Sequence, residues 1–409
     1  MKHTISQPIK AALESKRLFW RFLNPDSPYS RLRGAPDVAD FALGNPQEMP
    51  LPGFAEALQR WTIPRNKDWF TYTLNRPEAQ AVVAASLRER MDMPFEADDI
   101  AMTNGAFAGL AVTIRTVAGP GDEVIFNSPP WFNYESIILS AGAVPRRVKV
   151  NLETFDLDID AITNAISPRS RAIIVNSPNN PTGKIFPPET LKRLAVTLTD
   201  QSKEYGRPIY LISDESYNRI VFDGLKFHSP VGFYPYSFLI YTYGKTLLTP
   251  GERIGYIALP PTMPDREKLH SAITVSQLMT GWAFPNVVLQ YAMEELERLS
   301  IDVGHLEQKR DRLVAALRRF GYELHIPEGT FYLLVRSPWE DDWAFMDLLA
   351  THKILVLPAS VVELPGYFRV SLTANDEMID RALPGFEAAI SYAATNRPET
   401  ALRPHESRN

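Results

Sequence analysis

Residues 241–257, YTYGKTLLTPGERIGYI, place one lysine, Lys245, directly after a run of aliphatic and aromatic residues, with Arg253 eight positions later. The run is typical of a buried strand, so Lys245 would lie at the end of a strand. Most lysines in proteins are exposed, so the first interpretation is that Lys245 is an ordinary surface residue in a turn. The alternative is a lysine that forms an imine with a carbonyl cofactor, beside an arginine that holds the cofactor's phosphate.

The composition of the 409 residues is that of a globular enzyme, with 45% hydrophobic and 22% charged residues and a net charge of −5. The charges are mixed, no apolar run reaches membrane length, and the N-terminus lacks a secretory signal. The chain has no cysteine, and its seven histidines show no metal-binding spacing. We therefore expect a cytoplasmic enzyme that binds no metal, nucleic acid or membrane.

Short apolar runs alternate with amphipathic segments from about residue 100 onward. The runs are nearly continuous, as in strands of a parallel sheet that is covered on both faces. We predict helices over 188–204 and 264–280. We predict strands over 122–127, 171–176, 208–213, 237–243 and 253–259.

The C-terminal third has a different pattern, in which a helical period over 285–320 precedes shorter apolar runs. It predicts an α+β arrangement with strands over 322–326, 331–336 and 367–372 and helices over 341–352 and 375–394. The predicted organisation is an N-terminal arm that forms part of the small domain (1–50), a large cofactor-binding domain (51–300), a small domain (301–395) and a disordered tail (396–409).

Polar residues follow three of the predicted strands. Asn180 lies in SPNNPTG after the second strand, Asp214 and Tyr217 follow the third, and Lys245 follows the fourth. Ligands bind at the carboxyl ends of strands in such sheets. Each residue alone is an ordinary turn or cap residue, but together they predict a site.

A Thr-Asn-Gly turn at 103–105 is followed directly by a predicted helix, whose free backbone N–H groups would bind an anion. For the turn taken alone, an ordinary capped helix is the preferred interpretation. Thr242 and Arg253 beside Lys245 favour a phosphorylated ligand. A phosphate, a lysine, an aspartate and an Asn/Tyr pair match pyridoxal 5′-phosphate, because a carboxylate keeps its ring nitrogen protonated and donors stabilise its phenolic oxygen.

The order of Asn-Asn-Pro-Thr-Gly at 179–183, Asp-x-x-Tyr at 214–217 and Lys-x7-Arg-x-Gly at 245–255 resembles the class I/II aminotransferases of fold type I, the aspartate aminotransferase superfamily. The resemblance extends over roughly residues 40 to 390. It implies an α/β fold with a large, mostly parallel sheet of seven-stranded type between helices, and a smaller α+β domain. It also implies pyridoxal 5′-phosphate, amino acid and 2-oxo acid substrates, and a homodimer with shared active sites.

The resemblance assigns roles to individual residues. Lys245 would form the imine and move protons, Asp214 would pair with the ring nitrogen, and Tyr217 and Asn180 would bind the phenolic oxygen. The phosphate would be held by Gly105, Ala106, Phe107, Thr242 and Arg253.

Four further residues receive roles in the same way. Trp131 would stack on the cofactor ring, Arg369 would bind the substrate α-carboxylate together with Asn180, and Gly44 would lie in the loop over the substrate. Tyr72 would reach the phosphate of the partner subunit, which is the basis for expecting a homodimer.

The sequence departs from the family pattern at Gly244, where a serine is common, and at Pro77, where a glycine is usual. Phe107 lies where some aspartate-specific relatives carry a lysine, and 276–286 contains no arginine. We therefore predict an uncharged, bulky or aromatic amino donor. The N-terminal arm contains Arg21, Arg31 and Arg33. The sequence leaves open whether any of these arginines reaches the site.

Three other functions remain open from the sequence. The same cofactor supports elimination, as in a C–S β-lyase, or oxidative biosynthetic reactions. A non-catalytic cofactor-binding module would need a DNA-binding segment, for which neither terminus has room or charge. A nicotinamide dehydrogenase would need a Gly-x-Gly-x-x-Gly turn after a strand, which the sequence lacks.

Overall fold

A computed structural model describes residues 4–396 of the chain. The tail that we predict over 396–409 therefore lies, apart from Asn396, outside the described residues. Thirteen strands in three sheets and sixteen α-helices make up this part of the chain. None of these helices has the length and hydropathy required to span a bilayer.

The strands are β1 Ala39–Asp40, β2 Ile100–Thr103, β3 Glu123–Ser128, β4 Val144–Lys149, β5 Ser170–Asn176, β6 Tyr210–Asp214, β7 Ser237–Thr242, β8 Gly255–Ala258, β9 Leu324–His325, β10 Tyr332–Arg336, β11 Ile354–Leu355, β12 Leu357–Pro358 and β13 Tyr367–Ser371.

The helices are α1 Gln7–Ser15, α2 Arg17–Phe22, α3 Pro28–Leu32, α4 Pro52–Trp61, α5 Pro77–Met91, α6 Gly105–Val117, α7 Tyr134–Ser140, α8 Ile159–Ala165, α9 Pro188–Glu204, α10 Tyr243–Thr246, α11 Arg266–Thr280, α12 Val287–Tyr291, α13 Met293–Arg298, α14 Val303–Phe320, α15 Asp342–Thr351 and α16 Asp376–Thr395. Short 3₁₀ turns lie at Ala97–Asp99, Pro230–Gly232 and Ala359–Val362.

The largest sheet has seven strands in the order β2-β8-β7-β6-β5-β3-β4, and only β8 runs antiparallel to its neighbours. Residues of β3 alternate between two cores: Phe126 packs in the cluster of Leu110 from α6, and Ile125 packs in the cluster of Leu194 from α9. The sheet is thus covered on both faces, which is why its strands are continuously apolar. The predicted fold class is confirmed.

The sequence interpretation identified five strands of this sheet and missed β2 and β4. The edge strand β4, with the sequence VPRRVK, is largely exposed, and its Arg147 pairs with Glu135 and Glu363. Charged residues and proline are typical of edge strands, and they interrupt the apolar pattern by which a strand is predicted from sequence. The other missed strand, β2, is only four residues long.

The helical period over 285–320 is not one helix, and this part of the prediction is wrong. It contains α12, α13 and α14, because Leu299 is extended after α13 and the Ile301 N–H donates to the Thr246 carbonyl at 2.8 Å. The Asp302 side chain then caps α14 by accepting from the His305 N–H at 3.0 Å. The break ties this segment to the helix that carries Lys245.

A four-stranded antiparallel sheet, β12-β13-β10-β9, forms the C-terminal part of the fold. The N-terminal arm belongs to this part of the fold, where β1 and β11 form a separate two-stranded parallel sheet. Phe22 and Phe41 of the arm lie in one apolar core with Phe345, Phe368 and Phe386. These contacts position the loop after β1 over the carboxyl edge of the large sheet, whereas the exact domain boundaries stay a prediction.

Candidate active site

A cavity of about 890 Å³ lies at the carboxyl ends of β5, β6 and β7. Eleven of the thirteen predicted site residues line it, and Gly105 and Tyr72 do not. The eleven are Gly44, Ala106, Phe107, Trp131, Asn180, Asp214, Tyr217, Thr242, Lys245, Arg253 and Arg369.

Lys245 lies in α10, the single helical turn that follows β7. Its Nζ is 5.4 Å from the ring centroid of Tyr217 and 5.5 Å from that of Phe331. No carboxylate of the described chain forms a salt bridge with it. An amine in these surroundings is available for reaction at the cavity wall.

Asp214 ends β6 and is buried. Its carboxylate accepts hydrogen bonds from the Tyr134 hydroxyl at 2.7 Å and the Ser216 hydroxyl at 2.6 Å. Burial raises the pKa of Asp214, and these two donors together with the charge of Lys245 oppose that rise. Sequence reasoning missed Tyr134 and Ser216, although Ser216 stands within the Asp-x-x-Tyr motif.

Arg369 in β13 is the largest buried cation of the cavity, with 2% of its surface exposed. Its Nη1 donates to Asn180 Oδ1 at 2.8 Å and its Nη2 donates to the Ala42 carbonyl at 3.1 Å. Its Nε is buried and has no hydrogen-bond partner. A buried cationic donor without a partner is costly unless a ligand supplies an acceptor.

The start of α6 faces Arg253. Asn104 precedes the helix without a side-chain cap, so the first N–H groups stay available. Gly105 has φ +77, and a Cβ there would lie 2.5 Å from Arg253 Nη2 and 3.3 Å from Thr242 Oγ1. Gly105 thus brings the helix N-terminus against the arginine although its own atoms do not line the cavity.

Arg253 has no acidic partner among residues 4–396. Its Nη1 donates to the Pro250 carbonyl at 2.8 Å, and burial lowers its pKa. A half-buried guanidinium, a threonine hydroxyl and a helix N-terminus converge here, which is the donor set of an anion site.

Aromatic residues form part of the cavity wall. Trp131 contacts Phe107 edge-on, with 5.1 Å between ring centroids. Phe132 and Trp282 also line the cavity, and Phe132 stacks on Phe19 of the N-terminal arm at 4.3 Å. Phe132 was not predicted, because neither a motif nor a charge marks it in the sequence.

Tyr72 is 87% exposed and lies against Phe284, with 4.9 Å between ring centroids. It is therefore outside the cavity of its own chain. The arm arginines are also outside the lining. Arg21 lies over the Trp343 ring at 4.1 Å and Arg33 lies 5.8 Å from the Tyr29 ring centroid.

The backbone around Gly244 and Pro77 accounts for the two departures from the family pattern. A Cβ at Gly244 would meet the Pro250 Cα at 3.1 Å and the Thr249 carbonyl oxygen at 3.2 Å, so a serine there would crowd the backbone. Pro77 is the first residue of α5, where its fixed φ suits a helix start.

The family model described as aminotransferase class I and II matches residues 36–386. The chain belongs to the class I and II aminotransferase family. It is an aminotransferase, and this membership sets aside the dehydrogenase and the non-catalytic module.

Named relatives of this aminotransferase agree. A probable aspartate/prephenate aminotransferase of Aquifex aeolicus is 26% identical over 87% of this chain and 91% of its own. An aspartate aminotransferase of Thermotoga maritima is 28% identical over 86% of this chain and 91% of its own. The crystal structure of an amino transferase from Eubacterium rectale has a TM-score of 0.83 and 29% identity, with 95% of this chain and 96% of that chain covered.

Aminotransferases of this family generally depend on pyridoxal 5′-phosphate, and the cavity fits that group. The helix N-terminus with Thr242 and Arg253 suits a phosphate, and Lys245 supplies an amine. The unpartnered Nε of Arg369 suits a carboxylate. Asp214 supplies an anion within the same cavity.

Proposed function

We propose that this aminotransferase uses pyridoxal 5′-phosphate to move an amino group from an uncharged, bulky or aromatic amino acid to a 2-oxo acid. The observation that carries the proposal is the set of cations in the cavity lining. It consists of Lys245, Arg253 and Arg369. In the proposed function Lys245 bonds to the cofactor, Arg253 binds its phosphate and Arg369 binds the substrate α-carboxylate. None of the three is left to bind a charged substrate side chain.

Bound pyridoxal 5′-phosphate supplies an aldehyde and an electron-accepting ring. Lys245 is the amine that would hold the group, and Asp214 is the carboxylate that would face its ring nitrogen. The Tyr134 and Ser216 hydroxyls favour the ionised form of Asp214, because both donate to it. Arg253, Thr242 and the α6 N-terminus would hold the phosphate.

Substrate orientation would fall to Arg369 and Asn180. The Asn180 side-chain oxygen accepts a hydrogen bond from Arg369 Nη1 at 2.8 Å, and Arg369 Nε has no partner, so it would be a donor to the α-carboxylate. With the carboxylate held there, the Lys245 amine would take the proton from the substrate Cα and pass it to the carbon that carried the cofactor's aldehyde.

The preference for an uncharged side chain follows from the cost of burying an unpaired charge. A distal carboxylate would leave water and meet Phe107, Trp131 and Trp282 instead of a cation, at a cost of several kcal/mol. An apolar side chain enclosed by these rings gains about 1.5–3 kcal/mol. The named relatives are aspartate and aspartate/prephenate aminotransferases, so a preference against aspartate would set this chain apart from them.

The assembly that we propose is a homodimer with both active sites at the interface. Large apolar side chains are exposed in the single chain close in sequence to Tyr72 and to the cavity residue Trp282, among them Phe70, Leu278 and Met279. Scattered exposed apolar residues are normal, but a concentration of them marks an interface. Tyr72, outside its own cavity, would reach the phosphate site of the partner.

A half-reaction assay tests this function. The cofactor-loaded enzyme is mixed with phenylalanine, tyrosine, leucine, methionine or aspartate, and the cofactor absorbance and the 2-oxo acid product are followed. We expect stoichiometric 2-oxo acid formation, with a higher kcat/KM for at least one uncharged donor than for aspartate. A higher kcat/KM for aspartate than for all others contradicts the substrate proposal. Release of ammonia with pyruvate would indicate β-elimination instead.

A further inference from the structure

Tyr332 is a buried residue of the cavity lining to which neither the motifs nor the proposed chemistry assigns a role. In the antiparallel pair β10–β13, Tyr332 is opposite Ser371 and Leu334 is opposite Arg369. Tyr332 and Arg369 are therefore diagonal neighbours on one face of the sheet. The Arg369 guanidinium carbon lies 3.8 Å from the centroid of the Tyr332 ring.

The ring restricts how an anion can approach Arg369. Asn180 and the Ala42 carbonyl each take one terminal nitrogen, and Tyr332 covers a face of the guanidinium. The N–H groups that remain, one on each terminal nitrogen and the one on Nε, all lie in the guanidinium plane. A carboxylate must then bind in the guanidinium plane, which is the geometry of a strong charge-assisted pair.

The Tyr332 ring also meets the other half of the site. It lies edge-on to the Tyr217 ring, with 6.0 Å between ring centroids. The loop at Gly44 closes over Tyr332, and a Cβ at that position would lie 2.3 Å from the Tyr332 oxygen. Burial alone would raise the pKa of Tyr332, but the positive charges of Arg369 and Lys245 lower it.

We propose that Tyr332 is a positioning residue for the substrate carboxylate. Its ring holds Arg369 in the plane that binds that carboxylate. The proposal rests on Arg369 as the carboxylate site and on no other part of the proposed function.

The ring function is tested by calorimetric titration of the cofactor-loaded enzyme with 3-phenylpropanoate, a carboxylate without an amino group that cannot react. Tyr332→Phe keeps the ring, and we expect its affinity to stay within about twofold of the wild type. Tyr332→Leu removes the stacking, so Arg369 must be ordered when the carboxylate binds, and we expect a loss of affinity of about tenfold. Equal affinities for the wild type and Tyr332→Leu overturn this function.

Thermal melting of each variant separates these effects from misfolding. If Tyr332→Leu does not fold, Tyr332→Phe still decides, because a tenfold loss of 3-phenylpropanoate affinity in that variant overturns the assignment to the ring. Borohydride reduction of the wild type is the separate control for the proposed function. Without a reduced adduct on Lys245 the proposed cofactor role fails, while the titration with 3-phenylpropanoate still reports on the ring.

Discussion

Replacing Phe107 by lysine tests whether the missing cation sets the substrate preference. Phe107 is the third residue of α6, lies on the cavity wall edge-on to Trp131, and is 37% exposed. A lysine at this position would offer an ammonium to the distal carboxylate of aspartate. Its chain has room to turn toward solvent when the substrate is apolar.

The expected gain is modest because the position is partly exposed. A hydrogen bond between charged groups contributes about 1.5–3 kcal/mol, and a cation in the first turn of a helix costs about 0.3–1 kcal/mol. The net gain of about 1–2 kcal/mol corresponds to roughly a 5- to 30-fold higher kcat/KM for aspartate. Phenylalanine loses an aromatic pair of about 0.5–1.5 kcal/mol, so its kcat/KM should fall about 2- to 10-fold.

The assay is the half-reaction with aspartate and with phenylalanine, at low and high salt. Phe107→Met is the matched control, because it keeps an apolar side chain and adds no charge. We expect only the lysine variant to improve on aspartate, and salt to reduce that gain. If Phe107→Lys improves aspartate turnover no more than Phe107→Met does, the reasoning from unpaired charge is wrong.

Three other predictions follow from the described residues. Asp214→Ala should slow proton removal by orders of magnitude, since each ~1.4 kcal/mol of lost stabilisation is about tenfold in rate; stopped-flow measurement of near-normal transfer would refute the role of Asp214. Burial raises the pKa of Glu215 from 4.5 to about 7. Between these two pH values Glu215 is protonated in the folded enzyme and ionised in the unfolded chain. The free energy of unfolding therefore falls as pH rises through that range. Glu215→Gln should lack this decline and gain about 2 kcal/mol relative to the wild type between pH 5 and pH 8, as measured by denaturant unfolding; parallel curves for the two proteins would contradict the assignment. Sedimentation should show a dimer, and Tyr72→Ala should weaken cofactor retention; a fully active monomer at assay concentration would be incompatible with shared sites.

The sequence predicted the central strands because their burial on both faces makes them continuously apolar, and it predicted the site because polar residues follow three of those strands. Asp214 and Asn180 were found in this way. The edge strand β4 escaped because Pro145, Arg146 and Arg147 interrupt its apolar pattern. Local pattern therefore reveals the centre of the sheet better than its margin.

Residues that act through a partner far along the chain were not predictable from pattern. Tyr134 meets Asp214 across 80 positions, and the Arg369 guanidinium meets Asn180 across 189. Tyr332 lies in an ordinary apolar strand, and only the pairing of β10 with β13 places it against Arg369. Such roles depend on tertiary contacts, which no short stretch of sequence encodes.

The most direct test of the central claim is borohydride reduction of the purified enzyme followed by peptide mapping, on the wild type and on Lys245→Ala. The matched control is Lys184→Ala, whose amine pairs with Glu328 at 2.6 Å outside the cavity lining. We expect one reduced cofactor adduct, on the peptide that contains Lys245, in the wild type and the Lys184→Ala variant, and none in Lys245→Ala. An adduct that persists in Lys245→Ala, or that maps to another lysine, would contradict the account.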